Sequence, residues 1–331
     1  MRTPRLLASG TGYYHVILKT SGARFLFESD DDKRALLGIL ERVSRFSGVQ
    51  PLSYALLDNH VHLLLKVPER KSVPEAEFRR RVEALYGAAR SGKLFAKWDK
   101  WRDEGRERDI AFERDGLQKR MFDLGQFVKT AKEFFHVHYR EAHDWEGTVW
   151  GGRYKSILVA ESFTAFKALS LYIAMNPVRA GIAKRGADSP WTSFGQAKRG
   201  KSFGWRCHRA LLGELARLKG SHTGTDPEAA AGAGTDPEAN ADFVAKEFEE
   251  WMAEAEGVSR QKVKEALARG EGLSLAEMLV CRVHAFGNGR AIGTERAMRS
   301  VPRSGDAVAV PQCREGLFTA TRLSGCLYRL A

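Results

Sequence analysis

The alternation of apolar and polar positions predicts a regular order of strands and helices in the first half of the chain. Runs rich in Val, Ile and Leu predict a strand near 13–19, a pair of strands across 51–66 and a strand at 156–159. Apolar residues at helical spacing predict helices at about Asp31–Phe46, about Asp123–His143 and 162–175. The pattern therefore indicates a mixture of both element types within one domain.

This order of elements is typical of one architecture. A strand, a helix, two strands, a helix and a strand predict an α+β fold with a ferredoxin-like antiparallel sheet and helices on one face. A charged insertion of unassigned structure interrupts the pattern at 68–120. We expect residues 1–200, with this insertion, to form one domain.

A change in composition marks the end of this region. The sequence TDPEA occurs at 225–229 and again at 235–239, in a stretch rich in Gly and Ala. Such a stretch cannot form a packed core, which predicts a connecting segment and flexible linker over 201–241. Residues 242–331 are expected to form a small, mainly helical C-terminal domain, and their segments VSRQKVKEALARG and LSLAEMLVCRVHAFG leave open a DNA-binding helix-turn-helix.

Charge is distributed unevenly between these regions. The net charge is +12, but residues 1–220 hold 40 basic and 25 acidic residues, whereas residues 221–331 hold 13 basic and 16 acidic ones. A basic domain of this kind favours a polyanionic partner. No apolar run approaches the roughly 20 residues of a membrane span, and the N-terminal residues do not resemble a secretion signal, so we expect a cytoplasmic protein with no membrane partner.

The first candidate site lies in YALLDNHVHLLLKVP, residues 54–68. This apolar run predicts a buried strand, and residues two apart on a strand point to the same side. His60 and His62 would then project together and could share one metal ion. The alternative is a pair of polar residues at the end of a strand.

A second histidine pair, His136 and His138, has the same spacing in a different setting. Its surroundings are helical, and residues two apart on a helix lie about 200° apart. These two imidazoles are not expected to bind one ion.

The segment ESFTAFKALSLYIAMNPVRAGI, residues 161–182, contains the second candidate site. Ser162 suits the N-cap of a helix, and Pro177 helps to end it. Tyr172 and Asn176 are four residues apart and are expected to lie one above the other. A tyrosine at the border of a core also has a purely structural role in many proteins.

The segment GTVWGGRYKSI, residues 147–157, combines aromatic and basic residues. Trp150 and Tyr154 could stack on bases, while Arg153 and Lys155 could contact phosphates, as could Arg179 further along the chain. The alternative is a turn that leads into an edge strand.

These motifs together resemble the REP-associated tyrosine transposases, which belong to the HUH single-tyrosine transposases. The resemblance covers roughly residues 5–195 and rests on the order of GYYHVILKT, DNHVHLLL, GTVWGGRYKSILV and YIAMNPVRAGI. It implies that His60, His62 and Asn176 bind a divalent metal, Mg²⁺ or Mn²⁺, and that Tyr172 is the nucleophile. The long insertion and the region after the linker depart from the family pattern.

The resemblance implies an enzyme that cuts and transfers single-stranded DNA at palindromic, hairpin-forming repeats through a 5′-phosphotyrosine. Its partner would be single-stranded or hairpin DNA, in association with the nucleoid, and the site could be built within one chain or across a homodimer. Two alternatives stay open. One is a hairpin-binding protein without productive cleavage, and the other is a metal-dependent phosphodiesterase that uses water.

Overall fold

The computed structural model describes residues 5–200, 202–222, 237–269, 274–280, 286, 291–294 and 327–330. In this part of the chain, six strands form one sheet in the order β2-β3-β1-β4-β5-β6. The strands are β1 (Gly12–Lys19), β2 (Gln50–Leu56), β3 (His60–Val67), β4 (Lys155–Val159), β5 (Ala291–Thr294) and β6 (Leu327–Leu330). The helices are α1 (Asp30–Ser47), α2 (Glu75–Tyr86), α3 (Ala88–Asp103), α4 (Glu107–Gln118), α5 (Leu124–His143), α6 (Phe163–Ala174), α7 (Asn176–Arg179), α8 (Ser193–Lys198), α9 (Phe203–His222), α10 (Pro237–Glu256), α11 (Arg260–Ala268) and α12 (Leu275–Val280).

The first four strands and two helices confirm the predicted α+β, ferredoxin-like arrangement. Strand β1 pairs antiparallel with both β3 and β4, and β2 pairs antiparallel with β3. Helices α1 and α5 pack on one face of this sheet around a core that includes Val16, Leu63 and Phe135. The predicted strands and helices of this region agree with the structure to within a few residues at their ends.

Capping explains where the predicted helices begin. The Ser29 side chain accepts a hydrogen bond from the Asp31 N–H at the start of α1, and Asp123 does the same for the Gln126 N–H at the start of α5. Ser162 accepts from the Ala165 N–H, as its sequence context predicts for α6. These bonds satisfy backbone N–H groups that have no partner within the helix.

The insertion at 68–120 forms the three helices α2, α3 and α4. Helix α2 packs against α1, and α3 packs against α2, so the insertion extends the first helical layer. Trp98 is buried there, and its indole N–H donates to Glu113. The sequence left this segment unassigned because its helices are highly charged, which weakens the apolar periodicity.

The second face of the sheet carries a further set of helices. Helices α6 and α9 lie over it, and α10 packs against α9. Their core includes Phe166 and Leu215, together with Phe248 from beyond the predicted linker. The sheet therefore carries helices on both faces, and the prediction that they lie on one face is wrong for α6, because its apolar residues pack against the face opposite α1 and α5.

The described parts of the C-terminal region join the same core. Strand β5 pairs parallel with β4, and β6 pairs antiparallel with β5. Within the linker predicted over 201–241, residues 201 and 223–236 lie outside the described residues, whereas 203–222 form α9 and 237–241 belong to α10. Much of the predicted domain at 242–331 also lies outside the described residues. The division into domains therefore stays a prediction. No helix in the described ranges is both long and apolar enough to cross a membrane.

Candidate active site

The site begins where β3 enters the sheet. Val61, Leu63 and Leu65 face the first core, so the alternate residues His60 and His62 project from the second face. In the register with β1, His60 lies opposite Lys19 and His62 lies opposite Ile17. The two imidazole centroids are 4.9 Å apart, so the pair has the arrangement that the strand pattern predicts.

A buried hydrogen-bonded chain fixes the tautomer of His62. The Nδ1 atom of His15 lies 2.8 Å from the Phe286 carbonyl oxygen, which can only accept, so this nitrogen carries the proton. In neutral His15, Nε2 then accepts from Nδ1 of His62 at 2.9 Å. The remaining lone pair of His62 is therefore on Nε2, where an imidazole can bind a metal or accept a proton.

His60 is oriented in a similar way by its neighbour in the chain. Its Nδ1 lies 2.6 Å from Oδ1 of Asn59, which leaves Nε2 as the unprotonated nitrogen of the neutral ring. Burial, helped by the charge of Lys19, lowers the pKa of His60 to about 4. Burial also holds the pKa of His62 well below its usual value. Both rings are neutral at pH 7, which is the form that binds metals.

Tyr172 and Asn176 approach these histidines from the second helical layer. Helix α6 ends at Ala174 and α7 begins at Asn176, and the Asn176 Nδ2 donates to the Tyr172 carbonyl oxygen at 2.8 Å. Because that carbonyl can only accept, the amide nitrogen must face it, and Oδ1 is left to bind a ligand. The Tyr172 ring is only 7 % exposed, and its centroid is 5.5 Å from that of His62.

These side chains line one cavity of about 690 Å³. It brings together the predicted residues His60, His62, Lys155, Tyr172, Asn176 and Arg179, with Ile17, Lys19, Phe25, Leu57, Asp58, Asn59, Ala180 and Ile182 as the other lining residues. The Arg179 guanidinium carbon lies 4.5 Å from the centre of the Tyr172 ring. The cavity thus combines two imidazole nitrogens and one amide oxygen, which could bind a metal, with a phenol and basic groups.

The rest of the predicted DNA-binding group lies elsewhere. The Trp150 ring is 8 % exposed and packs against Phe27 and Phe135, with its N–H donating to the Lys132 carbonyl oxygen. A ring held in the core in this way cannot stack on a base, so the alternative structural interpretation fits Trp150 better.

Tyr154 and Arg153 also lie outside the residues that line the cavity. The Arg5 guanidinium lies 3.7 Å from the centre of the Tyr154 ring and occupies one of its faces. Arg153 is exposed. Of the predicted group, Lys155 and Arg179 are therefore the members that the structure places at the site.

The candidate metal ligands include an amide side chain. Within the described residues, no group of three His, Cys, Asp or Glu side chains is arranged to hold a metal ion. The candidate set is instead two imidazoles and the Asn176 carboxamide. An amide oxygen is a normal ligand for Mg²⁺ and Mn²⁺, so the set is chemically adequate without a carboxylate.

His15, like Asn59, is a residue of this site that was not predicted from the sequence. It is fully buried on β1, on the same face as Ile17 and Lys19. A single polar residue within an apolar strand was the available signal in GYYHVILK. Its contact with His62 depends on the pairing of β1 with β3, which spacing along the chain does not define.

Comparison with known proteins adds little to this geometry. No protein-family model matches the chain, and no curated protein matches it. One similar solved structure is described as "Structure of the REP associates tyrosine transposase bound to a REP hairpin". It is 14% identical, the match covers 62% of this chain and 91% of that chain, and the TM-score is 0.36. A similarity this low supports no conclusion about function.

Proposed function

We propose that this protein is a metal-dependent enzyme that nicks single-stranded or hairpin DNA and transfers the cut strand through a 5′-phosphotyrosine at Tyr172. The observation that carries the proposal is the convergence of Tyr172, His60, His62 and Asn176 on one cavity. Two of these residues come from a strand, one from α6 and one from α7. Core packing alone does not require two neutral histidines and an amide beside a phenol.

The available atoms fit a divalent ion. The Nε2 atoms of His60 and His62 and the Oδ1 atom of Asn176 are the three that remain after the hydrogen bonds described above. When Mg²⁺ or Mn²⁺ is bound by these residues, it would polarise and orient the scissile phosphate. The hydrogen bonds from His15 and Asn59 would keep both imidazoles in the required tautomer.

In the proposed reaction, the phenolic oxygen of Tyr172 attacks phosphorus and gives up its proton to solvent as the new bond forms. The bond from phosphorus to the 3′ oxygen breaks, and that oxygen takes up a proton and leaves as a 3′-hydroxyl. The 5′ phosphate stays on the tyrosine, so the energy of the phosphodiester is kept for joining to another strand. Arg179, beside the Tyr172 ring, can offset the negative charge of the phosphate, and the exposed Lys19 and Lys155 add positive charge at the same cavity.

Replacing Tyr172 by Phe tests the proposal directly. The substitution removes one oxygen and keeps the ring, so stability should change little. Labelled hairpin DNA with Mn²⁺ or Mg²⁺ should give a denaturation-resistant adduct with the wild type and none with Tyr172→Phe. Tyr154→Phe is the matched control and should keep the adduct, because Tyr154 does not line the cavity.

The same assay separates the alternatives. Cleavage of the hairpin without any adduct would indicate a phosphodiesterase that uses water. Binding without cleavage would indicate a hairpin-binding protein. An adduct that persists in Tyr172→Phe would overturn the assignment of the nucleophile.

A further inference from the structure

We propose that Phe25 and Ile182 form a platform for an unstacked nucleobase at the mouth of the cavity, so that the protein binds single-stranded DNA by its bases as well as by its phosphates. This inference rests on the proposed function and names a substrate feature of the same site. Phe25 is 62 % exposed and Ile182 is 52 % exposed, although both are large apolar residues. Both line the cavity that holds His60 and Tyr172.

The backbone on either side of Phe25 is held in place. The next two residues, Leu26 and Phe27, are buried in the first core, and the Phe27 N–H donates to the Asp58 carbonyl oxygen at 2.9 Å. The Thr20 hydroxyl donates to the Arg24 carbonyl oxygen at 2.6 Å. The Phe25 ring therefore projects from an anchored segment, and exposing it to water has a cost that the fold itself does not offset.

Ile182 projects from a second anchored segment. It follows Gly181, whose φ of 77° lies in the left-handed region that favours glycine, and its N–H donates to the Pro177 carbonyl oxygen at 2.8 Å. Two apolar side chains from distant parts of the chain thus line the same opening. Such a pair marks a binding surface more strongly than a single exposed residue does.

Basic groups dominate the charge of the cavity, because the carboxylate of Asp58, which also lines it, is already in a salt bridge. Lys19, Lys155 and Arg179 line it together with the apolar pair, and a ring beside basic groups suits a base attached to a phosphate backbone. An apolar peptide would bring no negative charge to these three side chains. In a duplex, each base is covered by its neighbours, so Phe25 can stack only on a base that has left the helix.

The test compares oligonucleotides with and without bases. The probes are a fluorescent thymidine oligonucleotide of about 20 nucleotides and an abasic oligomer with the same number of phosphates, measured without divalent metal. The wild type should bind the thymidine probe about tenfold more tightly than the abasic one. Phe25→Ala should remove most of this preference, and Phe25→Trp should retain it. Ile182→Ala should cause a smaller loss.

Phe112→Ala is the matched control, because Phe112 is 81 % exposed on α4 and does not line the cavity. It should keep the full preference for bases. Equal preference in wild type and Phe25→Ala would overturn the platform, even if Tyr172 still formed its adduct. Conversely, a base preference that depends on Phe25 would stand if no adduct formed, so the two proposals fail separately.

Discussion

Two histidine pairs with the same spacing show how the backbone decides what a motif can do. His60 and His62 lie on β3, project from one face of the sheet and line one cavity. His136 and His138 lie on α5, where residues two apart point in widely different directions. The Nε2 atom of His138 lies 3.5 Å from the carboxylate of Asp32. Identical spacing thus gives a candidate metal site in one pair and a packing role in the other.

The partners of each pair extend this contrast. His62 is hydrogen bonded to another neutral imidazole, that of His15, which leaves its second nitrogen for a ligand. Beside the helical pair, the carboxylate of Asp32 is 2.9 Å from Nε2 of His143, so this nitrogen already has a partner. The nitrogen of His62 that has no partner among the described residues faces the cavity, whereas Nε2 of His143 is already bonded to a carboxylate.

The largest expected effect is the loss of adduct formation when the strand pair is broken. His60→Ala or His62→Ala should reduce the metal-dependent adduct roughly 100-fold or more, because each removes one of three proposed ligands. Binding of hairpin DNA should remain largely intact, since phosphate contacts supply most of the affinity. The adduct is quantified on denaturing gels and binding by fluorescence anisotropy.

His136→Ala is the control for this experiment and should leave the adduct within about twofold, as expected for a partly exposed helical residue. A folded His136→Ala variant that is as inactive as His60→Ala would show that the helical pair takes part in catalysis. The contrast between strand and helix would then be wrong.

A smaller effect is expected at His15, which would act on a bound metal only through His62. His15→Phe removes the acceptor for the Nδ1 proton of His62, and the metal concentration for half-maximal adduct formation should rise about 10- to 100-fold. His15→Gln should restore part of the response, because its amide can accept from His62 and donate to the Phe286 carbonyl oxygen. The measurement is a Mn²⁺ titration of adduct formation at saturating DNA.

His208→Phe is the matched control for His15. His208 is also buried on the second face, packs against Phe194 and Phe248, and has its pKa lowered to about 4 by burial. Both substitutions should disturb the core, but only the one at His15 should shift the metal titration. A shift of the same size in His208→Phe would show that His15 affects the metal response only through core packing.

The sequence was sufficient to predict those strands and helices that depend on patterns of neighbouring residues. The strand that carries His60 and the helix that carries His136 were predicted because their apolar periodicities differ. The N-cap at Ser162 was also predictable, because it depends on residues within one turn.

Contacts between residues that are far apart in the chain could not be predicted from such patterns. The bond between His15 and His62 depends on strand register, and that between His15 and Phe286 joins residues 271 positions apart. The sequence could not decide whether Trp150 contacts DNA, because an aromatic residue among basic ones suits either a core or a surface. Its burial follows from the packing of α5 on the sheet, where Phe135 meets the ring.

The Phe286 contact changes what we expect of the C-terminal region. Because the proposed metal ligands and most of the positive charge precede the linker, the sequence favours an N-terminal region that works independently. Phe286 nevertheless holds His15 through its carbonyl oxygen, and β5 extends the sheet next to β4. Both contacts would be lost without residues 286–294, so the region after the linker is expected to support the site as well as the core.

The smallest expected effect tests the helical side of the comparison. Asp32 is 3 % exposed and contacts His143 and His138, which are both partly exposed. Asp32→Asn keeps the shape of the side chain and removes its charge. The hydrogen bond from a partly exposed histidine contributes about 1 kcal/mol, so the free energy of unfolding should fall by about that amount. Chemical denaturation measures this change, and the Mn²⁺ titration of adduct formation should be unaltered. A shifted titration in Asp32→Asn would mean that Asp32 and its two histidines influence the metal response, and the distinction between the two histidine pairs would no longer hold.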